Sequence, residues 1–205
     1  MKYQIRLLFK TGILPSLIFI FVVPIFVSIR NLNSTGAAFV LEKFVSLIGI
    51  ILFIPIVSID LNNHVIEITQ SKSIRTSNLL YLSVVLQVFV TILLIVLFCC
   101  ISICMGSTFP LCPFVMGTIV NAVFLGSTGL LACLATGSAV IGYFVPCLLY
   151  LVNLLMGHMA FIFNLFSLAY LGYTDKIVLL AGGAVFLVAS FIISSSNYVL
   201  QTVIG

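Results

Sequence analysis

The chain has 205 residues, of which 63% are hydrophobic and only 6% are charged, and its formal net charge is +4. A mean hydropathy of +1.41 leaves too little polar surface to cover a soluble globule of this size, so composition excludes soluble domains. We therefore predict an all-helical integral membrane protein, because a helix satisfies its own backbone hydrogen bonds inside hydrocarbon.

The amino-terminal segment, residues 1–10, carries a basic stripe. Lys2, Arg6 and Lys10 recur every fourth residue, so they share one face if the segment is helical. This pattern predicts a short interfacial helix at the inner headgroup layer. The alternative is a plain positive anchor that only fixes the orientation of the first span.

Six apolar segments follow, each near the length of about 20 residues that crosses roughly 30 Å of hydrocarbon. The predicted spans cover about residues 11–29, 44–59, 79–105, 114–135, 139–156 and 177–193. A polar link from Arg30 to Lys43 joins the first two, and the Gly/Pro-rich stretch MGSTFPLCP ends the third. Residues 157–176 are too apolar for an exposed loop and too short to span twice, so we predict an extracellular re-entrant hairpin there.

The basic residues predict the orientation. With six spans both termini share one side of the membrane, and five basic residues lie on that side against three on the other. The richer side is expected to be cytoplasmic, so the chain is predicted to be a multi-pass plasma-membrane protein with both termini in the cytoplasm. The five are Lys2, Arg6, Lys10, Lys72 and Arg75, and the three are Arg30, Lys43 and Lys176.

Residues 60–78, between spans two and three, are unusually polar for this chain. Leu61, Val65 and Ile68 recur at helical spacing, and a polar set at the same spacing forms another face: Asn63, Glu67 and Gln70. The pattern predicts a short amphipathic helix on the cytoplasmic surface, suited to docking a partner. The alternative is a solvated loop whose charges only set topology.

This segment and the span arrangement resemble the membrane subunits of type-2 ATP-binding-cassette exporters, and the apolar insert at residues 157–176 resembles the extracellular re-entrant element of that family. Between spans two and three those permeases carry a Glu, an apolar stretch and a Ser-Lys-Pro-Ile-Ser-Arg-like turn. The sequence EITQSKSIR supplies Glu67, Ser71, Lys72, Ile74 and Arg75. Ser73 stands where the family usually has Pro, and the turn is one residue shorter.

The resemblance implies that residues 60–78 form a coupling helix that contacts an ATP-hydrolysing partner. Glu67 would make the main polar contact, with Asn63, Gln70, Lys72 and Arg75 supporting it. The chain would be a non-enzymatic transport subunit of a single transmembrane domain, residues 1–205, with ATP and Mg bound in the partner. A second permease, identical or related, would complete the path for an amphiphilic cargo such as a peptide, antibiotic or lipid-like molecule. No nucleic-acid partner and no directly bound cofactor are expected.

Three amides lie inside predicted spans: Gln87, Asn121 and Asn153. Buried amides in lipid normally face protein or water, so they are candidates for lining a translocation path. Hydrogen bonding between helices is the alternative for each of them. Gly126 and Gly129 are expected to permit close helix contact.

Two other classes of function stay open at this point. An intramembrane enzyme needs a base or metal ligands, but the histidines His64 and His158 fall on opposite sides, and no acid lies within a predicted span. A stand-alone immunity or assembly protein would bind a membrane peptide without transport. No metal site is predicted from the cysteines, and a disulfide between Cys104 and Cys112 stays open.

Overall fold

A computed structural model describes residues 12–62, 76–156, 163–168 and 173–204. The predicted interfacial helix at residues 1–10 lies outside these ranges. So does most of the 60–78 coupling segment, including Asn63, Glu67, Gln70, Lys72 and Arg75. The protein is 86% helical, and the described ranges contain no strand, which confirms the all-helical fold class.

The described residues form seven α-helices. Their bounds are α1 Leu14–Phe26, α2 Ser34–Lys43, α3 Ile48–Asn62, α4 Thr76–Cys104, α5 Leu111–Thr136, α6 Ala139–Met156 and α7 Tyr173–Ile204. A single 3-10 turn, Val45–Leu47, links α2 to α3. Pro110 stands just before α5, where its missing N–H costs nothing, whereas Pro24, Pro55 and Pro146 lie inside helices.

Five helical stretches are long and apolar enough to cross a membrane: Ser34–Ile56, Tyr81–Cys104, Leu111–Thr136, Ala139–Met156 and Thr174–Ser195. The last four match predicted spans three to six within a few residues, and Ser34–Ile56 overlaps the second predicted span but begins about ten residues before it. At the first predicted span, α1 has 13 residues and a length of about 20 Å, less than the hydrocarbon thickness. The chain is therefore a helical protein with the architecture of a membrane protein.

The expected polar link from Arg30 to Lys43 is wrong over most of its length. Helix α2 begins at Ser34, and the first long apolar stretch includes it. The charges of Arg30, Glu42 and Lys43 suggested exposure, but Ala37, Ala38, Val40 and Leu41 between them are buried. The helix forms because its apolar residues pack against the bundle, while Glu42 finds a partner inside it.

Helix α5 is the centre of the bundle and packs against α3, α4, α6 and α7. Glycines allow the closest approaches, as predicted for Gly126 and Gly129. A Cβ at Gly126 would lie 2.7 Å from the Phe53 ring, and one at Gly129 would lie 2.9 Å from the Gly142 carbonyl oxygen. These positions must stay small for α3 and α6 to reach α5.

Two connections lie side by side at one end of the bundle. The backbone after α1 bonds to the backbone after α4, with Thr108 N donating to Leu32 O at 3.0 Å and Asn31 N to Met105 O at 3.4 Å. The Ser107 hydroxyl also donates to Ile29 O at 3.0 Å. This loop clasp, residues 29–32 with 105–108, fixes the start of α2 beside the end of α4. Cys104 and Cys112 nearby are both free thiols.

Candidate functional site

An ion pair is buried in the middle of this apolar bundle. Lys176 Nζ lies 2.6 Å from Glu42 Oε1, and only 7% of Lys176 and 2% of Glu42 are exposed. Charged residues in membrane helices are rare and usually mark functional or organising positions. We call Glu42, Lys176 and the groups bonded to them the Glu42–Lys176 cluster.

The ammonium of Lys176 has a full set of acceptors. Besides Glu42, Lys176 Nζ donates to Asn121 Oδ1 at 2.9 Å and to the Leu165 carbonyl at 2.7 Å. Lys has three N–H donors, so all of them are used. The short distances are typical of charge-assisted hydrogen bonds.

The Glu42 carboxylate accepts backbone hydrogen bonds as well. Ser167 N donates to Glu42 Oε1 at 3.1 Å and Leu168 N donates at 2.9 Å. Both donors belong to a non-helical segment, residues 163–168, between α6 and α7. The acid on α2 therefore holds this segment and the lysine of α7 through one oxygen.

Two more backbone N–H groups of the segment bond to asparagine side chains. Leu165 N donates to Asn153 Oδ1 and Phe166 N donates to Asn164 Oδ1, both at 3.2 Å. Asn121 Nδ2 donates to the Leu165 carbonyl at 2.8 Å. Four consecutive N–H groups, 165 to 168, thus bond to side chains, which replaces the hydrogen bonding that a helix would provide.

Aromatic contacts hold the same segment on its apolar side. Phe163 stacks on Phe124 with ring centroids 5.2 Å apart, and Phe166 meets Tyr150 edge-on at 5.5 Å. The Leu168 side chain lies where a Cβ at Gly117 would be, 2.7 Å from its Cδ2. The segment is packed as part of the core.

The cluster lies deep along the bundle. Asn121 comes ten residues after Leu111, the first residue of α5, which places it about 15 Å along the helix axis. Non-helical backbone at such a depth is tolerated only where protein or a water-filled cavity surrounds it. Here the side chains of the Glu42–Lys176 cluster surround the non-helical segment and bond to its backbone.

The break between α2 and α3 provides one more hydrogen bond between helices. Leu47 N bonds to Phe44 O in the 3-10 turn, which leaves the Lys43 carbonyl without the helical partner it would otherwise have. The Tyr150 hydroxyl donates to that carbonyl at 2.7 Å. The Lys43 ammonium lies over the Phe39 ring, 4.5 Å from its centroid. The break thus links α2 to α6.

The three amides predicted to line a translocation path differ in their hydrogen bonding. Asn121 and Asn153 are brought together, and both use their polar atoms in the Glu42–Lys176 cluster or within their own helix. Gln87 is equally buried, but neither its Oε1 nor its Nε2 has a partner. A role in translocation stays a prediction for all three.

The expectation that no acid lies within a span is wrong. Glu42 lies within the stretch Ser34–Ile56, and its partner Lys176 follows 134 residues later. Sequence reasoning missed the pair because it assigned both residues to loops. The signal was that Glu42, one of four acids in the chain, is embedded in the apolar run AAFVLEKFVSL.

The chemistry available to the Glu42–Lys176 cluster is that of an anchor. Its cation is fully bonded, and no group of three or more metal-ligating side chains occurs in the described parts of the chain. The candidate enzymatic histidines His64 and His158 fall outside the described residues. Compared with protein-family models, curated proteins and solved structures, the chain matches none. The function must therefore be argued from geometry.

Proposed function

We propose that the chain is the membrane-spanning permease subunit of an ATP-driven exporter. A six-span layout, with α1 as a short first span where the bilayer thins, puts both termini in the cytoplasm of a plasma-membrane protein. A separate ATPase subunit supplies energy through the segment around Glu67, and a second permease, identical or related, completes the path. The cargo is an amphiphile such as a peptide, antibiotic or lipid-like molecule.

The observation that carries the proposal is the buried non-helical segment 163–168. A re-entrant element between spans five and six is what the resemblance to type-2 exporter permeases implies. In this chain the connection between α6 and α7 reaches the level of Asn121, well inside the bundle, and has its N–H groups bonded to side chains. A surface loop would leave those groups to water.

The loop clasp supports the same layout. In a six-span topology the connection after span one and the connection after span three lie on one side of the membrane. Residues 29–32 and 105–108 are hydrogen-bonded to each other, which fits that arrangement. The predicted extracellular side is then the side where residues 163–168 enter the bundle.

A second candidate is a stand-alone immunity or assembly protein without transport. It is favoured by the Glu42–Lys176 cluster itself, since Asn121 and Asn153 are tied into a fixed anchor instead of lining an open path. A core fastened by hydrogen bonds from side chains on four helices suits a protein that binds a membrane peptide on its outside and does not open.

Purification in mild detergent from the native host separates the two candidates. The exporter proposal expects an ATP-binding subunit in stoichiometric amount, identified by mass spectrometry. Glu67→Lys should abolish its recovery through charge reversal, while Glu67→Ala weakens it and the control His158→Ala leaves it intact. Recovery of the chain without an ATPase would reject the exporter and favour the immunity or assembly protein.

A further inference from the structure

Gln87 is a buried polar side chain with unused hydrogen-bonding capacity. Its side chain is fully buried on α4, and both Oε1 and Nε2 lack a partner. Buried amides in native proteins nearly always have partners, because an unmade hydrogen bond in an apolar interior is costly. The backbone of the same residue is bonded normally, since Thr91 Oγ1 donates to Gln87 O at 2.7 Å.

The amide lies against the start of α1. A Cβ at Gly12 would be 3.3 Å from Gln87 Nε2 and 3.6 Å from the Leu52 carbonyl oxygen. Gly12 thus lets the chain pass over the amide without a side chain in between. Its own carbonyl accepts the Ser16 hydroxyl at 2.8 Å and is directed into α1.

Helix α1 is fastened unequally at its two ends. Beyond its carboxyl end, the loop clasp joins residues 29–32 to 105–108 by backbone and side-chain hydrogen bonds. From Gly12 to Phe26, none of the hydrogen bonds or ion pairs among the described residues reaches another helix. The buried side chains of α1 form one narrow stripe, Ser16, Ile20 and Val23, and Ile13 and Phe19 also pack against the core. A pivot of α1 about the clasp would displace it most at Gly12.

We infer that Gln87 forms a ligand site inside the membrane, which takes an uncharged amide group of an amphiphile, and that α1 covers the site while it is empty. A glutamine side chain offers a donor and an acceptor, and an amide is the neutral group that complements both. A charged group would be costly here, because the neighbouring contacts at Gly12 and Leu52 offer no countercharge. The inference deepens the proposed function by naming the cargo group that is bound.

Access to position 87 tests the movement of α1. Gln87→Cys in native membranes is treated with N-ethylmaleimide, an uncharged thiol reagent that can enter an apolar site, and labelled peptides are identified by mass spectrometry. The controls are Leu94→Cys, two turns further on the same helix, and the natural thiol Cys99, both equally buried. A conformation in which α1 has moved away needs a population of only a few per cent for labelling to occur. The thiol at position 87 should therefore react about tenfold faster than either control thiol. Equal rates would overturn the covering role of α1.

The ligand class is tested on the unmodified chain in lipid nanodiscs. Dodecanamide carries the amide, and methyl dodecanoate has the same acyl chain without an N–H donor. Dodecanamide at saturation should raise the unfolding midpoint by about 2–4 °C or more, and methyl dodecanoate should not. Gln87→Leu should lose the shift, while Thr91→Val, which removes a hydrogen bond to the Gln87 backbone carbonyl and leaves its side-chain amide in place, should keep it.

An equal shift by both lipids, or a shift that survives Gln87→Leu, would overturn the ligand site. Neither experiment requires an ATPase. Failure of these tests therefore leaves the exporter proposal standing, and failure to recover an ATPase leaves the Gln87 site standing.

Discussion

Replacing Lys176 by Met should destabilise the protein, because the Glu42 carboxylate then stays buried without its cation. Met keeps much of the side-chain volume but removes the cation, so the Glu42 carboxylate stays buried with only the N–H groups of Ser167 and Leu168. Asn121 Oδ1 also loses its donor. Removing one partner of a buried ion pair typically lowers the free energy of unfolding by about 3–5 kcal/mol.

Removing both charges should cost much less than the two single changes together. In Glu42→Gln the amide oxygen can still accept from Ser167 N and Leu168 N, and in Lys176→Met no cation is left to desolvate. The Leu165 carbonyl keeps the bond from Asn121 Nδ2. We therefore expect the double variant to be about 2–3 kcal/mol more stable than the sum of the single effects predicts.

The assay is a denaturant titration in mixed micelles that gives the free energy of unfolding for all four proteins of the cycle. Lys43→Met is the matched control, because Lys43 neighbours Glu42 in sequence but lies over the Phe39 ring. It should cost no more than about 1 kcal/mol. Additive effects of the two single changes would refute the energetic coupling that the 2.6 Å contact implies.

Two further changes test the packing around this cluster. Asn153→Leu removes the acceptor of Leu165 N, so it should cost about 1–3 kcal/mol and speed hydrogen exchange at that amide; an unchanged exchange rate would contradict the bond. Gly49→Ala should cost about 1–3 kcal/mol or more in a thermal unfolding assay, because the new methyl group would overlap the Ala122 carbonyl. Gly36→Ala, beside a flexible leucine tip, is its control and should change stability by no more than about 1 kcal/mol.

Sequence was sufficient for the all-helical class and for the positions of four of the five long apolar stretches, while the predicted span at about residues 44–59 began about ten residues after Ser34. Those follow from runs of apolar residues bounded by breakers, as at Pro110 before α5. The close contacts at Gly126 and Gly129 were also predictable, since small residues are what allow helices to approach in lipid.

The Glu42–Lys176 cluster was beyond sequence reasoning for a physical reason. A charge near the edge of an apolar run fits equally well in a headgroup layer or in a buried pair, and only the partner decides between them. That partner comes from another helix, and periodicity within one helix carries no information about it. Asn121 and Asn153 were recognised as buried amides, but their shared target, the Leu165 peptide group, was not.

The order in which the cluster is synthesised has a consequence for biogenesis. Glu42 enters the membrane early, and Lys176 is made 134 residues later, which takes about 7–27 s at 5–20 residues per second. During that interval Lys176 is not yet available to neutralise the acid, so we expect α2 to remain near the headgroups until α7 is inserted. Insertion of the final helix would then complete the core in one step, and a chain truncated before Lys176 would present an uncompensated acid to membrane quality control.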